Sequence, residues 1–422
     1  MRDIYAELIS IGDEILYGQT LDTNSHFISA ELDKLGIRVK RKVTVADNRD
    51  SMMRAFKEAE ANADLIIITG GLGPTKDDLT KLLLAEYFDS GMKLHEDILE
   101  DLRERFAKRG RELNELNKGQ AELPEKCKPI ENKYGTAPGM WFEKNEKVFI
   151  SMPGVPKEMK YMMEDTIIPK FKEIYKTPVL IHKMVKTVGI QESILAERLE
   201  DWEDNLPKEI KLAYLPGLNQ VKLRLTASGE DEKHLQKLID KEVDKLYEQV
   251  GKYIYGTDDT NLPAKIGELL KEKNLTIACA ESCTGGYIAH LITSNAGSSE
   301  YYRGGINPYH NDLKINILGV KKETIEQNGA VSEQTVKEMA ERVRELFGAD
   351  IGISTSGIAG PGGATDEKPV GTTWVALADG ENTQTKLYHF QFDRESNIEI
   401  TSNSLLNLVR QTLNSKELRK SL

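Results

Sequence analysis

Ser282 stands in Glu281-Ser282-Cys283-Thr284-Gly285-Gly286, where the apolar run LTIACA gives way to Ile288, Leu291 and Ile292 at helical spacing. A strand that turns directly into a helix offers free backbone N–H groups at the helix start, which can stabilise an oxyanion. The paired glycines let the backbone approach a substrate closely. The alternative is that Ser282 or Thr284 only caps the helix. A nucleophilic serine needs a proton acceptor, and the chain offers no Ser/His/Asp arrangement. The candidate is Lys314, which closes the run Tyr309-His310-Asn311-Asp312-Leu313-Lys314 directly after the aromatic, glycine-rich YYRGGINP. Near an apolar pocket and other cations, a lysine titrates low enough to act as a general base. On an ordinary helix it would be a solvated charge. His310, beside a tyrosine, reads as a structural hydrogen-bond partner, and Cys283 as buried filler.

Two further glycine-rich segments invite phosphate. Ser354-Thr355-Ser356-Gly357-Ile358-Ala359-Gly360-Pro361-Gly362-Gly363 follows a short apolar strand; its N–H groups can form an anion nest, with the hydroxyls of Thr355 and Ser356 nearby. Long turns use the same residues. Gly70-Gly71-Leu72-Gly73-Pro74-Thr75-Lys76-Asp77-Asp78 follows the strand DLIIIT, and its glycines suit a pyrophosphate. Asp77 and Asp78 cannot bind phosphate directly, so a bridging divalent cation would explain acids beside an anion site. The simpler use of both is to favour a helix N-terminus. Asp13 and Glu14, after the first strand, and Glu158, in PGVPKEM, pose the same choice.

These residues need elements to hold them, and 422 residues imply two or three domains. Hydrophobic residues at 39% and charged residues at 30% support packed cores and argue against global disorder. A net charge of −11 opposes non-specific nucleic-acid binding. The three cysteines form no CxxC pair and fit a reducing cytoplasm. The N-terminus reads as a first strand and not a signal peptide, and no apolar run approaches the roughly 20 residues a bilayer requires. A soluble, cytoplasmic protein without membrane or nucleic-acid partners is expected.

From residue 5 to about 170, β-branched runs alternate with helical patterns, which argues a parallel-sheet α/β domain with ligands beyond the carboxyl ends of its strands. Between about 176 and 256 the order is strand, helix, two strands and a long charged helix from Asp231, a small α+β module. GTDDTNLP reads as a linker into a second α/β domain, which opens with the helix Ala264 to Lys273. Domain bounds of 1–172, 173–256 and 260–416 follow, and the tail from Ser415 is expected to fray.

In that order, ESCTGG, the Tyr309-x-Asn311-x-x-Lys314 run and GIAGPGG with KPVG behind it resemble the C-terminal domain of the competence/damage-inducible CinA family over about residues 260 to 415. The resemblance implies a hydrolase that converts nicotinamide mononucleotide to nicotinate mononucleotide and ammonia. Ser282 would attack the amide carbon, Lys314 would take its proton and return it to ammonia, and Tyr309 would assist. Thr284, Gly285, Gly286 and the loop residues Thr355, Ser356, Gly360, Gly362 and Gly363 would position the nucleotide, and Arg394, in FDRES, would hold substrate charge. Two positions depart from the pattern of many relatives, which carry a small residue where His310 stands and a second arginine where Ile398 stands.

Residues 4 to about 170 resemble the MoaB/MogA-like molybdopterin-binding fold in its CinA version, through GDEILYGQTLDTN, GGLGPTKDDLT, GTAPGMWF and MPGVPKEM. This implies a metal-dependent ADP-ribose pyrophosphatase. Gly70, Gly71, Gly73 and Thr75 would hold the substrate, Asp78 a divalent ion, and Asp13, Glu14, Asp77 and Glu158 would supply the acids. The middle module resembles the KH-type insertion of full-length members but lacks a GxxG clamp for RNA, which favours a spacer or dimer element. The family resemblance also implies a homodimer. Two alternatives to the bifunctional hydrolase stay open: a molybdopterin-type adenylyl transferase in the N-terminal domain, or a non-catalytic nucleotide sensor linked to DNA uptake or damage.

Overall fold

The computed structural model describes residues 3–75, 78–108 and 110–415. They gather into two compact units, Met1–Ile181 with Ser228–Glu232, and His182–Ala227 with Lys233–Leu422. No helix among the described residues is long and apolar enough to cross a membrane.

The first unit is built on a six-stranded sheet in the order Arg38–Val45, Tyr5–Ile11, Leu65–Thr69, Lys147–Met152, Gly139–Lys144, Lys128–Ile130. The first four strands are parallel. Leu65–Thr69 is buried along its whole length. Ile66 and Ile68 enter one hydrophobic cluster while Leu65 and Ile67 enter the other, as a strand covered on both faces requires. Gly139–Lys144 pairs antiparallel with both Lys147–Met152 and Lys128–Ile130, so the sheet expected to be parallel carries one reversed strand. A two-residue turn causes the reversal: Lys144 pairs with Lys147, and Asn145 and Glu146 between them take φ of 52° and 62°, the left-handed backbone that tight hairpins use.

The middle segment forms a four-stranded sheet in the order Ile210–Gly217, Gln220–Gly229, Val179–Val188, Ile254–Thr257, with helices Glu192–Asp204 and Glu232–Val250. The strand, helix, strand, strand, helix order is the one expected. The closing strand Ile254–Thr257 occupies residues that begin the expected linker.

The C-terminal sheet runs Tyr302–Ile306, Ile277–Glu281, Ile351–Gly357, Thr372–Ala378, Thr383–His389. Its first three strands are parallel, and Thr372–Ala378 runs antiparallel between Ile351–Gly357 and Thr383–His389. Ile277, Cys279, Ile353 and Leu377 share a cluster with Ile266 and Leu270 of the helix Leu262–Lys273 and with Leu405, Leu406 and Val409. The opposite face packs on the helix Glu333–Phe347: Ala278 and Ala280 join Met339 and Val343, and Ala376 and Ala378 join Val336 and Ala340. The 22-residue helix Arg394–Ser415 buries polar side chains as well as leucines. Arg410 is 1% exposed and gives its guanidinium to the carbonyls of Ile254 (3.0 Å) and Lys252 (2.7 Å) and to Asn407 Oδ1, while Asn219 Nδ2 reaches Ser404 Oγ at 3.0 Å. Within this unit, middle module and C-terminal sheet share that helix.

Candidate active site

The three chemistry-bearing segments of the C-terminal sheet leave the carboxyl ends of three neighbouring parallel strands. Ile277–Glu281, the central one, leads into Ser282; Tyr302–Ile306 leads to Tyr309 and Lys314; Ile351–Gly357 leads into the glycine-rich loop. Ligand sites of open α/β sheets form at this edge.

Ser282 is half-buried and donates its backbone N–H to the Thr355 carbonyl at 3.1 Å, which ties its turn to the neighbouring strand. Lys314 is 1% exposed, so it is not a solvated helix lysine. Its Nζ donates to the carbonyls of Pro308 (2.8 Å) and Tyr309 (3.1 Å), and burial pulls its pKa below the ordinary lysine value, with the neighbouring Cys283 acting in the opposite direction. No hydrogen bond joins Ser282 Oγ to Lys314 Nζ among the described residues. Cys283 is buried and its thiol is pushed up to about 12, chiefly by burial, so it supplies no thiolate nucleophile at neutral pH. His310 caps the short helix Asn311–Asn316 through its Nδ1, in keeping with a structural role.

The structure gathers some expected residues and redirects others. Arg394 spans from the Gly360 carbonyl (2.7 Å) to the Tyr309 hydroxyl (3.0 Å), which unites three of them. Tyr309 is 59% exposed; its hydroxyl faces Arg394 and only its carbonyl meets Lys314. The Thr284 and Thr355 hydroxyls bond each other at 2.8 Å, both buried, and Ser356 Oγ donates to the Ala330 carbonyl at 2.6 Å. The Ser356 hydroxyl proton is thus given to the fold, while one of the paired Thr284 and Thr355 hydroxyls keeps a proton to donate. Gly362 and Gly363 lie at the exposed tip of the loop, Gly360 beneath it. Gly285 takes φ of +61° with open space where a Cβ would stand, and a Cβ on Gly286 would come within 2.9 Å of Asn307 Nδ2.

The helix-start N–H groups expected to face an oxyanion are already taken. Glu281 is fully buried: its Oε2 accepts from Gly286 N (3.1 Å) and Ile288 N (3.0 Å), and its Oε1 from Ala289 N (2.8 Å). The N–H groups of Cys283 and Thr284 carry no backbone or side-chain acceptor among the described residues, so they are the donors left at the turn. Glu281 and Asn307 escaped the sequence reading. An acid immediately before a helix start was the available signal for the first; none existed for the second.

In the first unit, the loops after the four parallel strands also meet at the carboxyl edge. Gly70 N donates to the Met152 carbonyl, Gly12 N to Val45, and Asn24 Nδ2 to Gly154 at 2.7 Å. Gly70 and Gly71 have φ of +104° and +63°, and Thr80, fully buried, donates Oγ1 to the Gly70 carbonyl and N–H to that of Gly71. Asp78 Oδ2 accepts the Thr75 N–H at 2.9 Å and also its hydroxyl, so this acid closes its own loop. Asp77 lies outside the described residues. The Asp13 N–H is held by Asp47, and Glu14 folds its carboxylate over Gly12. Glu158 is bonded by Asn132 Nδ2 at 2.7 Å and lies against Gly135 of GTAPG. Asp22, which the sequence reading passed over, caps the helix Thr23–Lys34. Burial would raise its carboxyl, but hydrogen bonds from Ser10 and Ser25 and the charge of Lys42 bring it below the usual value. Among the described residues no three His, Cys, Asp or Glu side chains gather as a metal cage.

Known proteins match along the whole chain. The family model of the CinA C-terminal domain matches residues 259–413, that described as "Probable molybdopterin binding domain" residues 7–173, and that of the damage-inducible protein CinA KH domain residues 182–256. A CinA-like protein of Cytophaga hutchinsonii is 50% identical over 97% of this chain and 98% of its own. Another, of Flavobacterium psychrophilum, is 44% identical over 96% and 97%. A crystal structure of the protein CinA from Thermoplasma acidophilum is similar to 41% of this chain and 99% of its own, with 36% identity and a TM-score of 0.37.

Proposed function

The chain belongs to the CinA family, and from that premise we propose that its C-terminal domain is a serine amidohydrolase that deamidates nicotinamide mononucleotide and its N-terminal domain a metal-dependent ADP-ribose pyrophosphatase. The observation that carries the first activity is the buried Lys314. A neutral amine has two N–H groups and one lone pair. With both N–H groups donated to the Pro308 and Tyr309 carbonyls, the lone pair remains to accept a proton, and burial favours that neutral form.

The chemistry follows from these groups. Ser282 Oγ attacks the carboxamide carbon while Lys314 takes the hydroxyl proton, and the negative charge moves to the carboxamide oxygen, beside the N–H groups of Cys283 and Thr284. Collapse breaks the C–N bond, and Lys314 returns the proton to the leaving nitrogen as ammonia. Water, deprotonated by the same lysine, then hydrolyses the acyl-serine ester to release the carboxylate and restore Ser282. Tyr309 and Arg394, joined at the rim, would meet the nucleotide. Ammonia release from nicotinamide mononucleotide by the wild type, Ser282→Ala and Lys314→Ala tests this; an unchanged rate in the serine variant overturns it.

For the N-terminal domain the support is the edge where Gly70, Gly71 and the Asp78 loop meet. Hard divalent cations are commonly held by one or two carboxylates together with substrate phosphates. Asp78 suits that use, because Thr75 engages only its Oδ2. Such an ion would neutralise charge on the pyrophosphate. The match of residues 7–173 to a molybdopterin-binding model favours a second reading, pterin binding with adenylyl transfer. Production of AMP from ADP-ribose, with and without divalent metal, separates the two when compared with turnover of a pterin substrate.

A further inference from the structure

We propose that Glu281 is a positioning residue of the amidohydrolase site: from beneath, it fixes the Ser282–Gly286 turn and leaves the Cys283 and Thr284 N–H groups as the oxyanion donors. This rests on Ser282 being the nucleophile. Four observations carry it. Glu281 is the last residue of the central strand and is fully buried, so its side chain is inside the fold and not at the substrate edge. Its two oxygens hold three backbone N–H groups, of Gly286, Ile288 and Ala289, which lie on the far side of the turn from the strand. The carboxylate thereby bridges the residue before Ser282 to the helix Tyr287–Thr293 after it, pinning both ends of the turn. Two of the intervening residues, Gly285 and Gly286, take φ of +61° and +100°, a backbone path with little local stiffness of its own.

Such pinning has a chemical consequence. Preorganised donors accelerate a reaction only if they are aimed before charge develops, and a displacement of about 1 Å at a reacting group can lower the rate on the order of 100-fold. The far N–H groups, tied to Glu281, cannot swing toward an oxyanion, so stabilisation falls to the two N–H groups nearest the nucleophile. An ordinary helix cap would do none of this: its loss would lower stability and leave the folded enzyme's turnover intact.

Glu281→Gln keeps the size of the side chain but places an N–H₂ donor against at least one backbone N–H donor. In the full-length protein, three quantities separate the possibilities: kcat and KM for ammonia release from nicotinamide mononucleotide, the rate at which a fluorophosphonate probe labels Ser282, and the melting temperature. The expected result is a variant folded at about 25 °C whose kcat falls about 100-fold and whose KM stays within about twofold, with probe labelling slowed in parallel. A lower melting temperature with wild-type kcat and labelling would show Glu281 to be a cap and overturn the proposal. If the wild type labels at Ser282 but releases no ammonia from this nucleotide, the substrate assignment fails alone, and slowed labelling of the variant still upholds the role of Glu281. A wild-type Ser282 inert to both substrate and probe overturns the two together. Should Glu281→Gln not fold, Glu281→Asp carries the same test: it retains the charge and withdraws it by one methylene from the Ala289 N–H.

Discussion

The glycine turns Gly70-Gly71 in the first unit and Gly285-Gly286 in the second both follow parallel strands, and they are fixed in opposite ways. Around Gly285 the determining groups are interior: Glu281, Lys314 and Thr355 are all at most 1% exposed, and each has its polar atoms bonded to the chain. Around Gly71 the interior supplies one hydroxyl, that of Thr80, while the acids Asp13 and Glu14, in the first turn of the short helix Asp13–Leu16, and Asp78, on the loop, are half-buried or exposed. A turn of the first kind is held by the fold itself before any ligand arrives. One of the second kind leaves its acidic side chains at the rim.

The largest effect is expected in the preassembled site. Ser282→Ala should lower ammonia release by at least about 10⁴-fold, and Lys314→Ala by about 10³-fold; a lysine variant near wild type would remove the contrast, because the buried amine would then be structural only. The pH dependence sharpens the same point. A base must be unprotonated, so turnover should rise with pH through the Lys314 pKa, and burial brings that limb below the ordinary lysine value of 10.5. The limb should vanish in Lys314→Ala, measured as ammonia release across pH.

In the rim-charged site, Asp78→Ala should weaken metal-dependent AMP production about 10- to 100-fold at limiting metal and leave ammonia release unchanged. Equal loss of both activities would break the separation. The two glycines can be compared directly by thermal unfolding. At Gly285, φ is +61° with nothing within 4 Å of a Cβ, so Gly285→Ala should destabilise by about 1–2 kcal/mol from backbone conformation alone. At Gly71, φ is +63° but a Cβ would collide with Thr80 Oγ1, so Gly71→Ala should lose about 1–3 kcal/mol more. The smallest effect belongs to Ser356→Ala, about 1 kcal/mol of stability with KM for the nucleotide unchanged. A raised KM would return that hydroxyl to the substrate.

What the sequence disclosed and what it hid divide along physical lines. The parallel cores were legible because runs such as Leu65–Thr69 are apolar on both faces, a pattern solvent-exposed strands do not carry. The antiparallel strand Gly139–Lys144 was not, because its direction depends on an Asn145-Glu146 turn whose glutamate is an unusual residue at positive φ. Ser282 was visible from its turn. The burial of Lys314 was not, since Asn311–Asn316 is a single short helix whose inward face is decided by the strand before it. Local sequence also suggested Thr355 and Ser356 as ligands, yet the fold commits their hydroxyls to Thr284 and to the Ala330 carbonyl. Residues with one hydrogen bond to give serve whichever partner the tertiary structure brings nearest.

The arginine in the last helix sets a limit on modularity. Arg410 neutralises no carboxylate among the described residues; it answers main-chain carbonyls of Lys252 and Ile254, which belong to the segment preceding the C-terminal sheet. A chain severed near residue 257 would uncover a guanidinium and its companions Asn407 and Ser404 on a face shaped for another piece of protein. The C-terminal domain of this chain is therefore not a portable cartridge. Liberating it would call for a redesigned outer surface on that helix, beginning at Arg410.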